Sequence, residues 1–225
     1  DLRADRQPEF TQIDLEMSFV TMEDVLKIGE GYMARVFKET LGVDIPLPLP
    51  RLTYKEAMER YGSDKPDTRF GMEIFDLTDE VKDCGFSVFS SAVQGGGSVR
   101  GITAKNAVSV YTRKEIDRLT ETAKGIGAKG MAWIRLTDEG IASSFAKFMT
   151  EDEMNAILDR VGATTGDVVV IIADKDKVTL PTLGALRLEM AKKLDIIPKE
   201  QFNLLWITEF PFFEWNEETE HWDAM

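Results

Sequence analysis

The tightest constraint on the fold is the stretch Asp167–Ala173, which places Val-Val-Val-Ile-Ile at its centre. An uninterrupted β-branched run of this length reads as a strand buried in a sheet rather than as a surface element. Around it the chain alternates short strands with capped helices. Glu73–Leu77 and Phe86–Ser90 read as strands. Met131–Leu136 and Ile141–Phe148 read as a hairpin around Asp138-Glu139-Gly140. Thr112 with Glu115 and Thr150 with Glu153 have the spacing of capping boxes. The first predicts a helix with Ile116, Leu119, Ala123 and Ile126 inside; the second, one with Met154, Ile157, Leu158 and Val161. A further helix is expected after Thr179 and Pro181, with the stripe Leu183, Leu186, Met190 and Leu194. Residues 72–200 are therefore expected to form an α+β module of their own.

Before this module, Ile13, Leu15, Met17 and Phe19 alternate with Gln12, Asp14, Glu16 and Ser18, which predicts a strand with one apolar and one polar face. Thr21 with Asp24 opens a helix whose buried stripe would be Met22, Val25, Leu26, Ile28, Tyr32, Met33, Val36 and Phe37, stopping at Gly42. Ile45–Pro50 is an extended connector, and Thr53 with Glu56 caps a short helix ending near Gly62. Ser63–Arg69 is a polar turn. After the module, Leu204–Phe213 returns to strand, and the acidic turn Asn216–Glu220 leads to Trp222.

Composition narrows the chemistry. Cys84 and His221 are the only cysteine and histidine, so no Cys/His zinc site or intrachain disulfide can be built, and the histidine reads as a solvated bystander. Carboxylate, amide and arginine chemistry remain. No apolar run is long enough for a membrane span, no charged-then-apolar leader follows Asp1, and the cytosol is the expected compartment. The net charge of −13 argues against wrapping nucleic acid through bulk electrostatics, although residues 100–147 carry nine Lys/Arg against five Asp/Glu. Gln94-Gly-Gly-Gly-Ser98 lacks the Gly-Lys-Ser/Thr of a phosphate loop and reads as a hairpin tip.

The polar face at residues 12–16 is the richest candidate site. Side chains two residues apart on a strand lie about 6–7 Å from one another. Asp14 and Glu16 could hold an ammonium group or a metal ion, while Arg3 and Arg6 could grip phosphates through paired hydrogen bonds. A solvated edge strand is the competing reading from periodicity alone.

Resemblance favours the site. Leu2-Arg-Ala-Asp-Arg-Gln-Pro-Glu-Phe-Thr-Gln-Ile-Asp14 resembles the second half of motif 2 in class II aminoacyl-tRNA synthetases, in its bacterial aspartyl form. Relatives for asparagine and lysine share the Pro-Glu-Phe-Thr core and differ after it. Tyr61-Gly-Ser-Asp-Lys-Pro-Asp67 resembles the stretch before the insertion of the bacterial aspartyl members, and residues 72–200 resemble that insertion. Leu205-Trp-Ile-Thr-Glu-Phe-Pro-Phe-Phe-Glu214 resembles the strand where the catalytic sheet resumes.

The resemblance implies an α+β fold in which residues 1–71 and 201–225 belong to an antiparallel catalytic sheet with helices, interrupted by the insertion. It implies activation of L-aspartate with ATP, normally with Mg2+, and transfer of the aspartyl group to tRNA(Asp). Gln7 would contact ATP, and Asp14, Glu16 and Gln12 would bind aspartate. Arg3, Asp5 and Arg6 would approach the tRNA acceptor end. No residue is assigned as a resident metal ligand. The parent enzyme is expected to be a homodimer. The family's phosphate-gripping arginine, motif 1, motif 3 and anticodon-binding barrel have no counterpart in these 225 residues, so the chain alone is expected to be inactive. A non-catalytic tRNA-binding or structural module sharing the insertion fold is the alternative, but such a module would have no use for the motif 2 strand.

Overall fold

A computed structural model describes residues 9–216 and 219–224 and divides into two compact units, one up to Leu49 and one from Pro50. The first unit is dominated by α1 (Met22–Leu41). Its ends follow the sequence signals. The Thr21 side chain accepts from Asp24 N–H while the Asp24 carboxylate accepts from Thr21 N–H, and Gly42 closes the helix in the left-handed region. The predicted apolar stripe is only partly covered: Met22, Val25, Ile28 and Tyr32 are exposed, Leu26, Met33, Val36 and Phe37 are half-buried, and Glu30 is the one buried residue of the helix. Glu30 accepts a hydrogen bond from Leu49 N–H at 3.2 Å.

The strand expected over residues 10–19 is absent. These residues are irregular, and Phe10, Ile13, Leu15 and Phe19 face solvent. The physical reason is that a strand is defined by its ladder, and no described segment pairs with this one. Alternation marks which face would be buried; it supplies none of the inter-strand hydrogen bonds.

The second unit opens with β1 (Arg51–Thr53) and α2 (Tyr54–Tyr61), which carries the expected Thr53–Glu56 capping box and stops at Gly62. Then follow β2 (Phe75–Asp76), α3 (Thr78–Val81), α4 (Ser87–Gln94) and β3 (Ser98–Ala104). Two expectations are corrected here. Phe86–Ser90 enters helix α4, not a strand, because packing of Phe89 into the core overrides the β-leaning local sequence. The Gly95–Gly97 run is a helix-to-strand turn rather than a hairpin tip, with Gly95, Gly96 and Gly97 donating to carbonyls of α4.

Next come α5 (Arg113–Ile126), the hairpin β4 (Ala132–Thr137) and β5 (Gly140–Ser143), α6 (Glu151–Val161), β6 (Val168–Asp174) and α7 (Asp176–Lys193). The Thr150–Glu153 box caps α6, whereas Thr112 makes no side-chain capping bond to α5. Helix α7 starts earlier than expected and contains Pro181.

The strands β2, β3, β6, β4 and β5 form one antiparallel sheet in that order, with β6 in the middle. The pleat sends Val168, Val170 and Ile172 into a core shared with α5 and α7. Val169 and Ile171 point to the other face, into a core with Val81, Phe89 and Ile157. The valine–isoleucine run is continuous because each face has its own helical cover.

The chain then returns to β7 (Trp206–Thr208), which pairs with β1 in parallel, Arg51 opposite Trp206 and Thr53 opposite Thr208. The segments before and after the five-stranded sheet are thus joined by hydrogen bonds. An antiparallel hairpin of β8 (Phe213–Asn216) and β9 (His221–Ala224) follows. The overall class is α+β.

Candidate functional site

The expected site residues divide sharply. Arg3, Asp5, Arg6 and Gln7 lie outside the described residues. Gln12, Asp14 and Glu16 are described, exposed and not held on a strand. Their common face is therefore a property of the sequence pattern, without a strand in the fold to set it.

Order is concentrated instead in the polar segment 63–72. Asp67 turns the chain by accepting Arg69 N–H at 3.1 Å, and it takes the Arg69 guanidinium through Nε at 3.0 Å and Nη2 at 2.7 Å. The hydrogen bond from Arg69 holds the Asp67 carboxyl below its ordinary range against the opposing cost of burial. Arg69 Nη1 also donates to Pro198 O at 3.2 Å. One turn earlier, Arg60 grips Glu73 with Nε and Nη2 at 2.9 and 2.8 Å, and Tyr61 adds its hydroxyl at 3.1 Å. These contacts, Arg60 first, lower the Glu73 carboxyl too.

Beneath this segment lies Arg187 of α7, 1% exposed. Its Nη2 donates to the carbonyls of Asp67, Phe70 and Gly71 at 2.7, 3.0 and 3.0 Å, and its Nε to Met72 O at 3.1 Å. The guanidinium stacks 4.0 Å from the Phe70 ring centre. Burial pulls its pKa down from the usual arginine range, but four carbonyl dipoles replace the lost water and the cation persists. The backbone of segment 67–72 is thereby tied to α7.

A second contact reinforces the first. Gly62 and Gly184 pack backbone to backbone: a Cβ on Gly184 would fall 2.5 Å from Gly62 O, and one on Gly62 would fall 2.1 Å from Leu180 O. Gly62 also has φ +67°, so two independent demands require glycine there.

A shallow cleft of about 270 Å3 lies beside segment 65–69, with Gln201, Asn203 and Leu204 opposite. Asn203 donates to Thr68 Oγ1 at 3.2 Å across it. Asp67 and Glu73 are already committed to arginines, which leaves neither carboxylate poised as a proton carrier. Among the described residues lining the cleft, Lys65 presents an exposed cation, and the Arg69 guanidinium is held by Asp67. This is chemistry for positioning and charge recognition.

The described residues bring no three His, Cys, Asp or Glu side chains together. By themselves they do not fit Mg2+. Burial pushes the Cys84 thiol up, away from nucleophile chemistry. His221 sits exposed on the β8–β9 hairpin, 2.9 Å from Asp223.

Sequence reasoning missed Arg187. The available signal was a charged residue on the apolar face of α7, four positions after Leu183 and three before Met190. A cation in such a stripe needs buried acceptors.

The matching family model, tRNA synthetases class II (D, K and N), covers residues 1–223. An aspartate–tRNA ligase of Ruminiclostridium cellulolyticum is 57% identical over all 225 residues, which correspond to 38% of that protein. One from Clostridium botulinum is 54% identical over 225 residues, 37% of its length. A protein of Lachnoclostridium phytofermentans named aspartate–tRNA(Asp/Asn) ligase is 53% identical over 226 aligned positions, covering this whole chain and 38% of the relative. The chain thus spans well under half the length of the curated relatives it matches. The match of the family model over nearly every residue and identities of 53–57% to these relatives agree: the chain belongs to the class II tRNA synthetases (D, K and N).

Proposed function

We propose that these 225 residues are the part of an aspartate–tRNA ligase running from motif 2 through the insertion and back to the catalytic sheet. The observation that carries the reading is 57% identity across every residue to an aspartate–tRNA ligase. In this reading residues 1–71 and 201–225 belong to the catalytic domain and 72–200 to the insertion. The whole enzyme activates L-aspartate with ATP and passes the aspartyl group to tRNA(Asp), working in the cytoplasm as a homodimer; no helix among the described residues is long and apolar enough to cross a membrane.

Gln7 contacts ATP, while Gln12, Asp14 and Glu16 bind aspartate, with a carboxylate receiving its ammonium group. Arg3, Asp5 and Arg6 face the acceptor end of the tRNA. Residues 10–19 become a strand when the rest of the catalytic sheet pairs with them, which turns the polar side chains to one face. Catalysis then rests on positioning and on stabilising charge at phosphorus.

The test is aspartate-dependent exchange between ATP and pyrophosphate. The longer protein containing this chain exchanges with aspartate and not with lysine or asparagine; the 225-residue chain does not exchange. Asp14→Ala in the longer protein raises the aspartate KM at least about tenfold, as loss of a charge-assisted contact requires. Exchange supported by lysine or asparagine in place of aspartate would overturn the assignment. Robust exchange by the 225-residue chain would overturn its incompleteness.

A further inference from the structure

Helix α7 reaches both strands of the β1–β7 pair, each through its own arm. The first arm is α2. Thr53 ends β1 and caps α2, and eight residues later, about 12 Å along the axis, Gly62 meets Gly184 of α7 backbone to backbone. The second arm is segment 67–72. Arg187 holds it by four carbonyls, and Thr68, which lies between two of them, accepts from Asn203 at 3.2 Å. Asn203 stands three residues before β7. Arg69 Nη1, donating to Pro198 O at 3.2 Å, fastens the same two stretches of chain a second time.

The second arm is held in a shape it would not keep alone. Met72 has φ +67°, in the left-handed region that an L side chain resists, and its carbonyl accepts from Arg187 Nε. A residue so placed persists where its surroundings over-determine it. For Met72 these are Arg187 on one side and the Arg60 contacts on the other. Arg60 grips Glu73, and its carbonyl accepts from Ile74 N–H at 2.8 Å.

We infer that Arg187 is a positioning residue for the β1–β7 pair. With Arg187 engaged, segment 67–72 holds Asn203 and the strand that follows it. With Arg187 withdrawn, four carbonyls lose their donor together, Met72 returns to the ordinary backbone region and β7 loosens. In the reading proposed above, β1 and β7 belong to the catalytic domain and α7 to the insertion; the functional half of the inference rests on that reading. Displacing α7 then slows aspartate activation, although Arg187, 1% exposed, is out of reach of a substrate.

Hydrogen exchange tests the structural half in the 225-residue chain. Arg187→Lys keeps the charge and loses the planar fork. Trp206 N–H, bonded to Pro50 O at 2.9 Å, should then exchange at least about tenfold faster. Leu136 N–H in β4, bonded to Asp167 O at 3.0 Å, should change less than about twofold. Phe70→Leu removes the ring under the guanidinium and should act in the same direction by about threefold, which keeps the test open if the lysine variant does not fold. Asn203→Ala, at an exposed position, should speed Trp206 exchange by itself, and Arg187→Lys on top of it should add less than about twofold, as for two residues on one path. Unchanged Trp206 exchange, equal acceleration at Leu136 or additive effects would overturn the positioning role.

Kinetics test the functional half in the longer protein. Arg187→Lys should lower kcat for aspartate-dependent exchange at least about fivefold and move the aspartate KM less than about twofold, the signature of misplaced groups rather than a lost contact. A raised KM with kcat intact, or no change in either, would overturn this half. Exchange that does not depend on aspartate in the unmodified longer protein would count instead against the reading on which it rests.

Discussion

Helices α1 and α7 are stabilised in opposite ways. Helix α1 has a capping box at one end, a left-handed glycine at the other and an apolar stripe of which no residue is fully buried. Helix α7 has no side-chain cap and a proline inside it, yet nine of its residues are buried. The first is specified by local sequence, the second by what surrounds it. Isolated helices are marginal in water, so most helical stability in a folded protein comes from packing. Strong caps and strong burial are therefore separate sources of order, and the two can be perturbed separately.

The comparison breaks most visibly at Arg187. Arg187→Ala should cost about 3–5 kcal/mol by urea denaturation, as expected when a buried charge is removed and its partners are left without donors. A loss below about 1 kcal/mol would mean that α7 does not depend on its buried surroundings.

Asp167 offers a pH-resolved version. Burial works against its charge, but Lys105 Nζ at 2.8 Å and the N–H groups of Thr164 and Asn106 at 2.8 and 2.9 Å outweigh that and hold its carboxyl below the ordinary range. A carboxyl depressed in the folded state adds stability that is present above its unfolded pKa, near 3.9, and lost as pH falls through the folded value. Asp167→Asn should cost about 2 kcal/mol at pH 7, the scale of a charged hydrogen bond. The deficit relative to the parent should shrink below about pH 4. A pH-independent deficit would assign the loss to shape rather than charge.

Thr53→Ala should cost about 1 kcal/mol, a typical cap. Thr21→Ala should reduce the helicity of α1, read by circular dichroism on a peptide of residues 19–44, without changing the urea midpoint of the second unit. Smallest of all, Ile28→Ala should change the stability of this chain by less than about 0.5 kcal/mol, because that side chain is already wet. A cost above 2 kcal/mol would show that the stripe of α1 is covered in solution.

The capping boxes at Thr21, Thr53 and Thr150 were legible because the signal is contained in four residues. The buried strand β6 was legible because its run is long and β-branched. Strand β3 escaped notice because Arg100 and Gly101 interrupt its pattern; a Cβ at Gly101 would strike Val170 O, a demand set by a strand about 70 residues away. Phe86–Ser90 misled for the same reason in reverse, since its helix depends on the core it enters. The alternation at residues 10–19 gave a period but could not supply a neighbour to pair with. For the candidate site, the identities of Gln12, Asp14 and Glu16 were readable; their shared orientation depends on pairing that the described residues do not make.

Arg187 carries one more consequence. Three of the four carbonyls it satisfies, those of Asp67, Phe70 and Gly71, precede residue 72, where the texture of the chain suggests a cut. A fragment cut at that point would retain the guanidinium and discard most of its hosts. A piece of the second unit that keeps Arg187 with its acceptors therefore begins upstream of Asp67, and any shift of α7 must drag segment 67–72 with it.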